Sequence, residues 1–266
     1  MLPKFFFENY FQGEQNNYIF VSMPFDNSLD DKFKIIEYVG KKLCDFDDVI
    51  RTKEKEWSGA EITDKIFDGI AHSRILLFDL SDDFKYNGEI NTNVIYELGV
   101  ALTFRDTKDI LLIRKNNPEK PIEKLPFDIK GLNINEHKNG LEIEWLQERI
   151  LSCKDAQMYY KELILASTFH SIDEIGMHAI QKFGIDQNLK NFSVPDISGL
   201  KVYDMKGELI YEITNPEIRN SVLKLLELGI VKTEFAHKND KIETSFHWTF
   251  FGKKVVDYMK RRGDNY

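Results

Sequence analysis

The sequence predicts a doubly wound parallel α/β sheet followed by a smaller module of helices and a β-hairpin. Three observations carry that prediction. Two runs, RILLFDL (74–80) and DILLIRK (109–115), are apolar on both alternating faces, as central parallel strands covered by helices must be. Strand-like and helix-like patterns alternate from residue 17 to residue 153. Past Cys153 the alternation stops, and helical patterns surround a pair of β-prone runs.

NYIFVSMPF (17–25) is a continuous β-prone run closed by Pro24. LDDKFKIIEYVGKKL (29–43) follows with Phe33, Ile36, Val39 and Leu43 or Gly40 in helical spacing, and Ser28 with Asp31 makes a start resembling a capping box. DVIR (48–51) is a short strand, and Ser58 with Glu61 opens a helix bearing Ile62, Ile66, Phe67 and Ile70. The helix of NTNVIYELGVAL (91–102) separates the two central strands. GLNINEH (131–137) reads as a last strand and GLEIEWLQERILSC (140–153) as a closing helix. These elements form a first domain over residues 1–152.

Residues 153–266 form the second part. Helices are expected over 155–183, with Ser171 and Glu174 in capping-box register, and NFSVPDISG (191–199) reads as a linker or turn. NPEIRNSVLKLLELG (215–229) is a helix with Pro in its first turn and Gly after its last. IVKTEF and IETSFHWTF flank a polar HKND turn, and GKKVVDYMKRR closes the chain as a basic helix. A helical linker followed by helix, hairpin and helix is the order of a winged-helix domain.

With 266 residues, 42% hydrophobic and 30% charged, the chain can bury one large or two modest cores. No stretch approaches the ~20 apolar residues of a membrane span, and the early FFF is interrupted too soon for a signal peptide, so a cytoplasmic protein is expected. ENYFQG (8–13) looks like a protease-tag scar and is set aside with the rest of residues 1–16. Cys44 and Cys153 have no CxxC spacing and read as buried thiols. The net charge of -8 is uneven: residues 201–266 hold 12 Lys+Arg and 10 Asp+Glu, against 24 and 34 in residues 1–200. The acidic part is not built for nucleic acid, whereas the C-terminal part does not repel it.

Ligands of parallel α/β sheets bind beyond the carboxyl ends of the strands. The residues there are Ser22, Pro24, Phe25 and Asp26 after the first strand, Arg51 by the second, Asp79 after the third, then Asn93 and Glu97 at the mouth of the next helix. Ser28, Ser58 and Asn93 read equally well as helix caps, and Asp26 as a turn residue. Glu97 is the acid in an otherwise apolar run. On a helical wheel it lies about 90° from the centre of the face formed by Val94, Leu98, Ala101 and Leu102, on the rim of the buried surface. In a first turn the helix dipole would hold it ionised beside apolar neighbours, which suits a nucleophile or cation stabiliser, or it would serve the dipole alone. Gly99, costly inside a helix, suggests close approach by a partner. No GxGxxG follows the first strand, and the six histidines have no HExxH or comparable spacing, so neither a hydride-transfer cofactor nor a metal is expected.

FVSMPFD, the run from Glu61 to Ser81, NTNVIYELGVAL and LPFDI (125–129), in that order, resemble bacterial nucleoside 2-deoxyribosyltransferase-like and TIR-like proteins over about residues 18–135. The resemblance implies a flavodoxin-like sheet that holds a nucleoside or dinucleotide, with Glu97 working at the anomeric carbon, Asp79 contacting the base and Asn93 in the site. Breaking an N-glycosidic bond builds oxocarbenium character that an adjacent carboxylate can capture or stabilise. Nicotinamide leaves neutral from a pyridinium, which favours NAD+ as substrate rather than cofactor. The chain departs from the family in DLSDDFKYNGEINTNV, which is longer than the family turn and carries Thr92 in place of its Pro. This segment is expected to act as a lid, with Lys85 and Tyr86 as phosphate or base contacts or plain loop residues.

The C-terminal run WTFFGKKVVDYMKRR resembles the wing and last helix of winged-helix domains. Opposite Ile218, Val222 and Leu225, the candidate recognition helix shows Glu217, Asn220, Ser221 and Lys224, a poor phosphate-binding face. Lys238, Lys241, Lys253, Lys254, Lys260, Arg261 and Arg262 are the better nucleic-acid candidates, or form a solvated surface. The resemblance implies an antiphage effector of the kind associated with retrons, and a homo-oligomer is expected. A deoxynucleoside-salvaging transferase and a nucleotide-binding sensor or regulator are the rival readings.

Overall fold

The computed structural model describes residues 16–24, 26–51, 59–83, 89–125, 127–138, 140–197, 201–203, 209–212, 215–238 and 241–263. Phe25, Ser58, Lys85 and Tyr86 lie outside the described residues, as do the side chains of Lys238 and Lys241. The chain divides into two compact units, residues 13–159 and 160–266.

The first unit is a five-stranded parallel sheet built from β1 (Asn16–Ser22), β2 (Asp48–Ile50), β3 (Ser73–Asp79), β6 (Ile110–Lys115) and β7 (Ile134–His137). Their order is β2-β1-β3-β6-β7, the doubly wound arrangement expected from the alternating sequence. The strands between Asp79 and Ile110 are β4 (Asp82–Asp83) and β5 (Glu89–Ile90), a small antiparallel pair made from the long insertion. Helices α1 (Asp30–Tyr38), α2 (Gly59–His72), α3 (Thr92–Phe104), the single turn α4 (Phe127–Lys130) and the first part of α5 (Ile143–Ser171), up to residue 159, accompany the sheet, while Ile164, Leu165 and Phe169 of α5 belong to the core of the second unit.

Side-chain alternation along each strand feeds two separate cores. Ile19 and Val21 of β1, Ile75 and Leu77 of β3, and Leu111 and Ile113 of β6 pack with Ile36 and Val39 of the first helical segment and with Leu146 and Ile150 of α5. The intervening Phe20, Leu76, Phe78 and Leu112 pack on the other side with Ile70 of α2 and Val94, Leu98 and Ala101 of α3. Both faces of the central strands are therefore dry, which is why they read as unbroken apolar runs. Each fully buried side chain of this size contributes about 1.5–3 kcal/mol.

Several local expectations are corrected. Ser28 does not cap α1; Asp26 instead accepts from the Ser28 N–H at 2.9 Å and starts a 3-10 turn that runs into the helix. Phe67 is exposed on α2 while Ile70 is buried. The closing helix does not stop at Cys153. Residues 143–171 contain neither Gly nor Pro, so nothing terminates the helix, and α5 runs for 29 residues.

A buried polar knot ties the amino ends of β3 and β6 to the helices. Arg105, after α3, donates to Asp109 at 3.0 Å and to the carbonyls of Ile70 and Ser73 at 2.6 and 2.8 Å, closing the end of α2. Gln157 of α5 donates to Asp109 and to the Arg74 carbonyl, both at 2.8 Å. Cys153 Sγ donates to the Lys108 carbonyl at 3.1 Å, and burial with the Asp109 charge pushes its thiol up to about 12. Cys44 is buried, as expected, and its pKa is raised by that burial, whereas Cys153 is only partly buried.

The second unit contains α6 (Glu174–Ala179), the turn α7 (Val194–Ile197), the pair β8 (Lys201–Tyr203) and β9 (Leu209–Glu212), helix α8 (Asn215–Glu227), the hairpin β10 (Val231–Lys238) and β11 (Lys241–Trp248), and α9 (Phe250–Arg262). Asp173, not Ser171, caps α6, accepting from Gly176 N–H at 2.8 Å. The expected linker is part of the core. Phe192 exchanges two backbone hydrogen bonds with Phe246 of β11 (3.2 and 2.7 Å), and its ring stacks on Phe183 at 4.9 Å. Ile218, Val222 and Leu225 are buried as their spacing predicts. Thr249 caps α9, and Gly252 lies so close to the Ile230 carbonyl that a Cβ would stand 1.9 Å from its oxygen. No helix among the described residues is long and apolar enough to cross a membrane.

Candidate functional site

The carboxyl ends of β1 and β3 carry most of the expected site residues, and the sheet sorts them onto two faces. Ser22, the last residue of β1, alternates with Val21 and so faces the α3 side, as Phe20 does. Glu97 belongs to α3, whose Val94, Leu98 and Ala101 supply that same core. Asp79 follows Phe78 and takes the opposite side, where Lys32 of α1 meets it.

Glu97 is not in a first turn. Asn91 is the N-cap, its side chain accepting from the Asn93 N–H at 2.9 Å, so Glu97 is the sixth helical residue. The dipole effect fades within one turn, and burial governs this carboxylate instead. Glu97 is 6% exposed, inside the surface rather than on its rim, and burial pushes its carboxyl above the usual range. The Ser22 hydroxyl draws it part of the way back. That hydroxyl is itself 2% exposed, and it acts on the carboxylate without reaching hydrogen-bond geometry to any described residue. Gly99 is exposed, and a Cβ there would meet nothing within 4 Å, so no described residue exploits its missing side chain.

Asp79 is fully engaged. Lys32 donates to its Oδ2 at 2.5 Å, while the Ser81 hydroxyl and N–H donate to Oδ1 at 2.6 and 3.1 Å. A nucleobase would have to displace Lys32 to reach it. Arg51 is a structural strut, donating to Asp30 at 3.0 Å and to the Pro24 carbonyl at 2.8 Å, with its guanidinium 5.6 Å over Phe33. Asp26 caps its turn, and Asn93 is exposed. Pro24 and Asp26 line a cleft of about 410 Å³ on the α1 face, together with Lys32, Asp79, Lys115 and His137.

Sequence reasoning missed Lys32, Lys115, His137 and Arg114. The rule that picked Asp79 would have found Lys115 and His137, which end β6 and β7. Arg114 is completely buried on the α3 side of β6 and donates to Asp82 at 3.3 Å and to the Lys120 carbonyl at 2.8 Å. Asn117 also donates to Asp82, at 2.6 Å, so the base of the β4–β5 pair is pinned to the sheet edge.

In the second unit, Ser221 is not on the open face of α8: it is buried and donates to Asp173 at 2.6 Å. Glu217, Asn220 and Lys224 are exposed. Lys253 and Lys254 are exposed on α9, the latter 5.2 Å over Phe250. Arg261 pairs with Glu162 at 2.9 Å, and Arg262 donates to the Tyr258 hydroxyl at 3.3 Å.

No protein-family model matches the chain, and no curated protein does. Among solved structures, similarity is found to the Flv1 flavodiiron core from Synechocystis sp. PCC6803, with 17% identity over 55% of this chain and 36% of that chain (TM-score 0.34). A metazoan TIR-STING receptor from C. gigas is similar in complex with 2',3'-cGAMP (12% identity, 91% and 76% of the two chains, TM-score 0.39) and in a second structure (12%, 93% and 75%, TM-score 0.36). Likeness of this extent does not bear on the chemistry of the site.

Proposed function

We propose that the first unit is a nucleotide N-glycosidase that hydrolyses NAD+ or a related nucleotide, with Glu97 as the group facing the anomeric carbon. The observation that carries this reading is the buried Glu97 carboxylate, held above its usual pKa beside an unsatisfied Ser22 hydroxyl at the carboxyl end of β1. Such a carboxylate gains most from a cationic neighbour, because a positive charge restores the stability that desolvation removed. A pyridinium nucleotide supplies that charge in the ground state, and the oxocarbenium ion supplies it in the transition state. The motifs around FVSMPFD and YELG support the same chemistry.

On this reading Ser22 orients Glu97 and the ribose, the β4–β5 segment covers the ligand, and the second unit is a winged helix that recruits nucleic acid or a partner as part of an antiphage effector. The test is incubation of the purified protein with NAD+, NADP+, nucleosides and deoxynucleotides, with and without nucleic acid, and mass spectrometry of the released bases. Nicotinamide release that disappears in Glu97→Gln supports the reading. Base exchange would replace it with transferase chemistry, and tight nucleotide binding without release would make the protein a sensor.

A further inference from the structure

We propose that the cleft on the α1 face of the sheet binds the phosphate group of a small molecule, held by Lys32, Lys115 and His137. The cleft lies beyond the carboxyl ends of β1, β3, β6 and β7. Its volume of about 410 Å³ falls in the range of small-molecule pockets. His137 ends β7, is 5% exposed and meets the edge of Trp145 with ring centroids 5.6 Å apart. Neither of its ring nitrogens reaches hydrogen-bond geometry with a described residue, although the Gly140 backbone is near enough to act on the ring. A buried imidazole left unsatisfied costs free energy, and a ligand group in the cleft would relieve that cost.

The charges around the ring select the ligand. Burial lowers the pKa of His137, the Lys32 and Lys115 ammonium groups lower it further, and Asp79 with the Gly140 backbone opposes them. The imidazole is therefore neutral at physiological pH, with one N–H to donate. The acids along the cleft are committed elsewhere: Asp79 to Lys32, Asp31 to Lys34 at 2.9 Å, Asp82 to Arg114 and Asn117, and Asp26 to its turn. What remains for a ligand is the ammonium of Lys115, a share of Lys32 and the His137 N–H, a donor set for a dianion. A phosphate alone would not fill the space, and Leu29, Ile35 and Leu141 offer an apolar wall to the organic part of a phosphate ester. A dianion between the two lysines would reverse the field at His137 and raise its pKa, so binding would take up a proton. Glu97 does not line the cleft and belongs to the helix on the other side of the sheet, so the proposal does not rest on the glycosidase reading.

The experiment is proton NMR of the full-length protein, with the His137 ring signals assigned by their loss in His137→Gln, during titration with inorganic phosphate, AMP or adenosine. Phosphate and AMP should both move the His137 signals and raise its titration midpoint, and adenosine should do neither. Tighter binding of AMP identifies a phosphate ester as the ligand, whereas equal binding identifies the free anion. Lys115→Met, at an exposed position, should weaken both anions about tenfold. Unmoved signals with either anion, adenosine acting as well as AMP, or an unchanged Lys115→Met affinity would each overturn the proposal.

Discussion

Glu97 and Asp79 stand on opposite faces of the same parallel sheet, the first on the α3 side with Ser22 and the second on the α1 side with Lys32. Two carboxylates that look like partners along the sequence therefore have different work to do. Their substitution should have separable effects.

Glu97→Gln should lower base release by roughly a hundredfold or more, about 2.7 kcal/mol in the barrier, with a smaller change in nucleotide affinity. The same variant should be more stable than the parent at neutral pH. A carboxyl whose folded pKa is raised contributes its stability below the usual value of 4.5, and the protein loses it as pH rises through the folded pKa. Melting temperatures measured from pH 4 upward should thus fall for the parent and stay flatter for Glu97→Gln. Equal slopes for the two proteins would show that Glu97 is not charge-strained.

Ser22→Ala removes the group that draws the Glu97 carboxyl downward, so that carboxyl should move further up. If the ionised form is the active one, the acid limb of the pH–rate profile should shift to higher pH. A limb that stays in place would separate Ser22 from the chemistry.

Asp79→Asn strands the Lys32 ammonium beside a neutral amide in a site where the parent carboxylate is 1% exposed. The loss should be about 3 kcal/mol of stability, measured by urea unfolding, and nucleotide affinity should fall less than stability does. A fully stable variant with lost base selectivity would put Asp79 back against the base.

Gly252→Ala drives a Cβ into the Ile230 carbonyl, a backbone atom that cannot rotate away. This should cost about 3 kcal/mol or more and appear as selective proteolysis within residues 160–266. Resistance equal to the parent would mean that the junction between α8 and the hairpin yields easily.

If α9 binds nucleic acid, Lys253→Ala with Lys254→Ala should reduce the salt dependence of binding by about 0.9 per lost duplex contact. Arg261→Ala should matter less, because its guanidinium is already paired with Glu162. Filter binding at several salt concentrations reads both, and an unchanged slope in the lysine pair removes α9 from the interface.

The sequence showed β3 and β6 clearly because strands buried on both faces have no polar alternation to confuse them. Glu97 was legible for the opposite reason, as an acid where apolar residues surround it. Its burial was not, since the wheel angle places a side chain on a helix but not against the layer that covers it. The Lys32–Asp79 pair joins residues 47 positions apart, and the Arg105 carbonyl cap closes a helix more than thirty residues upstream, so neither leaves a spacing to read. Phe192 reads as linker because a Ser-Val-Pro-Asp context looks like a turn; the turn is real, and the Phe before it is anchored by Phe246.

The two thiols of the first unit carry a further consequence. Cys153 is partly exposed but, held protonated against the Lys108 carbonyl, offers almost no thiolate at neutral pH, whereas Cys44 is buried. Cys44 packs under Leu146 and Ile150 of α5, and an alkylating reagent can reach it only when that packing opens, so the protein carries its own clock for local opening. The rate at which Cys44 is modified, followed by peptide mass, times how often that helix lifts, without any label or substitution.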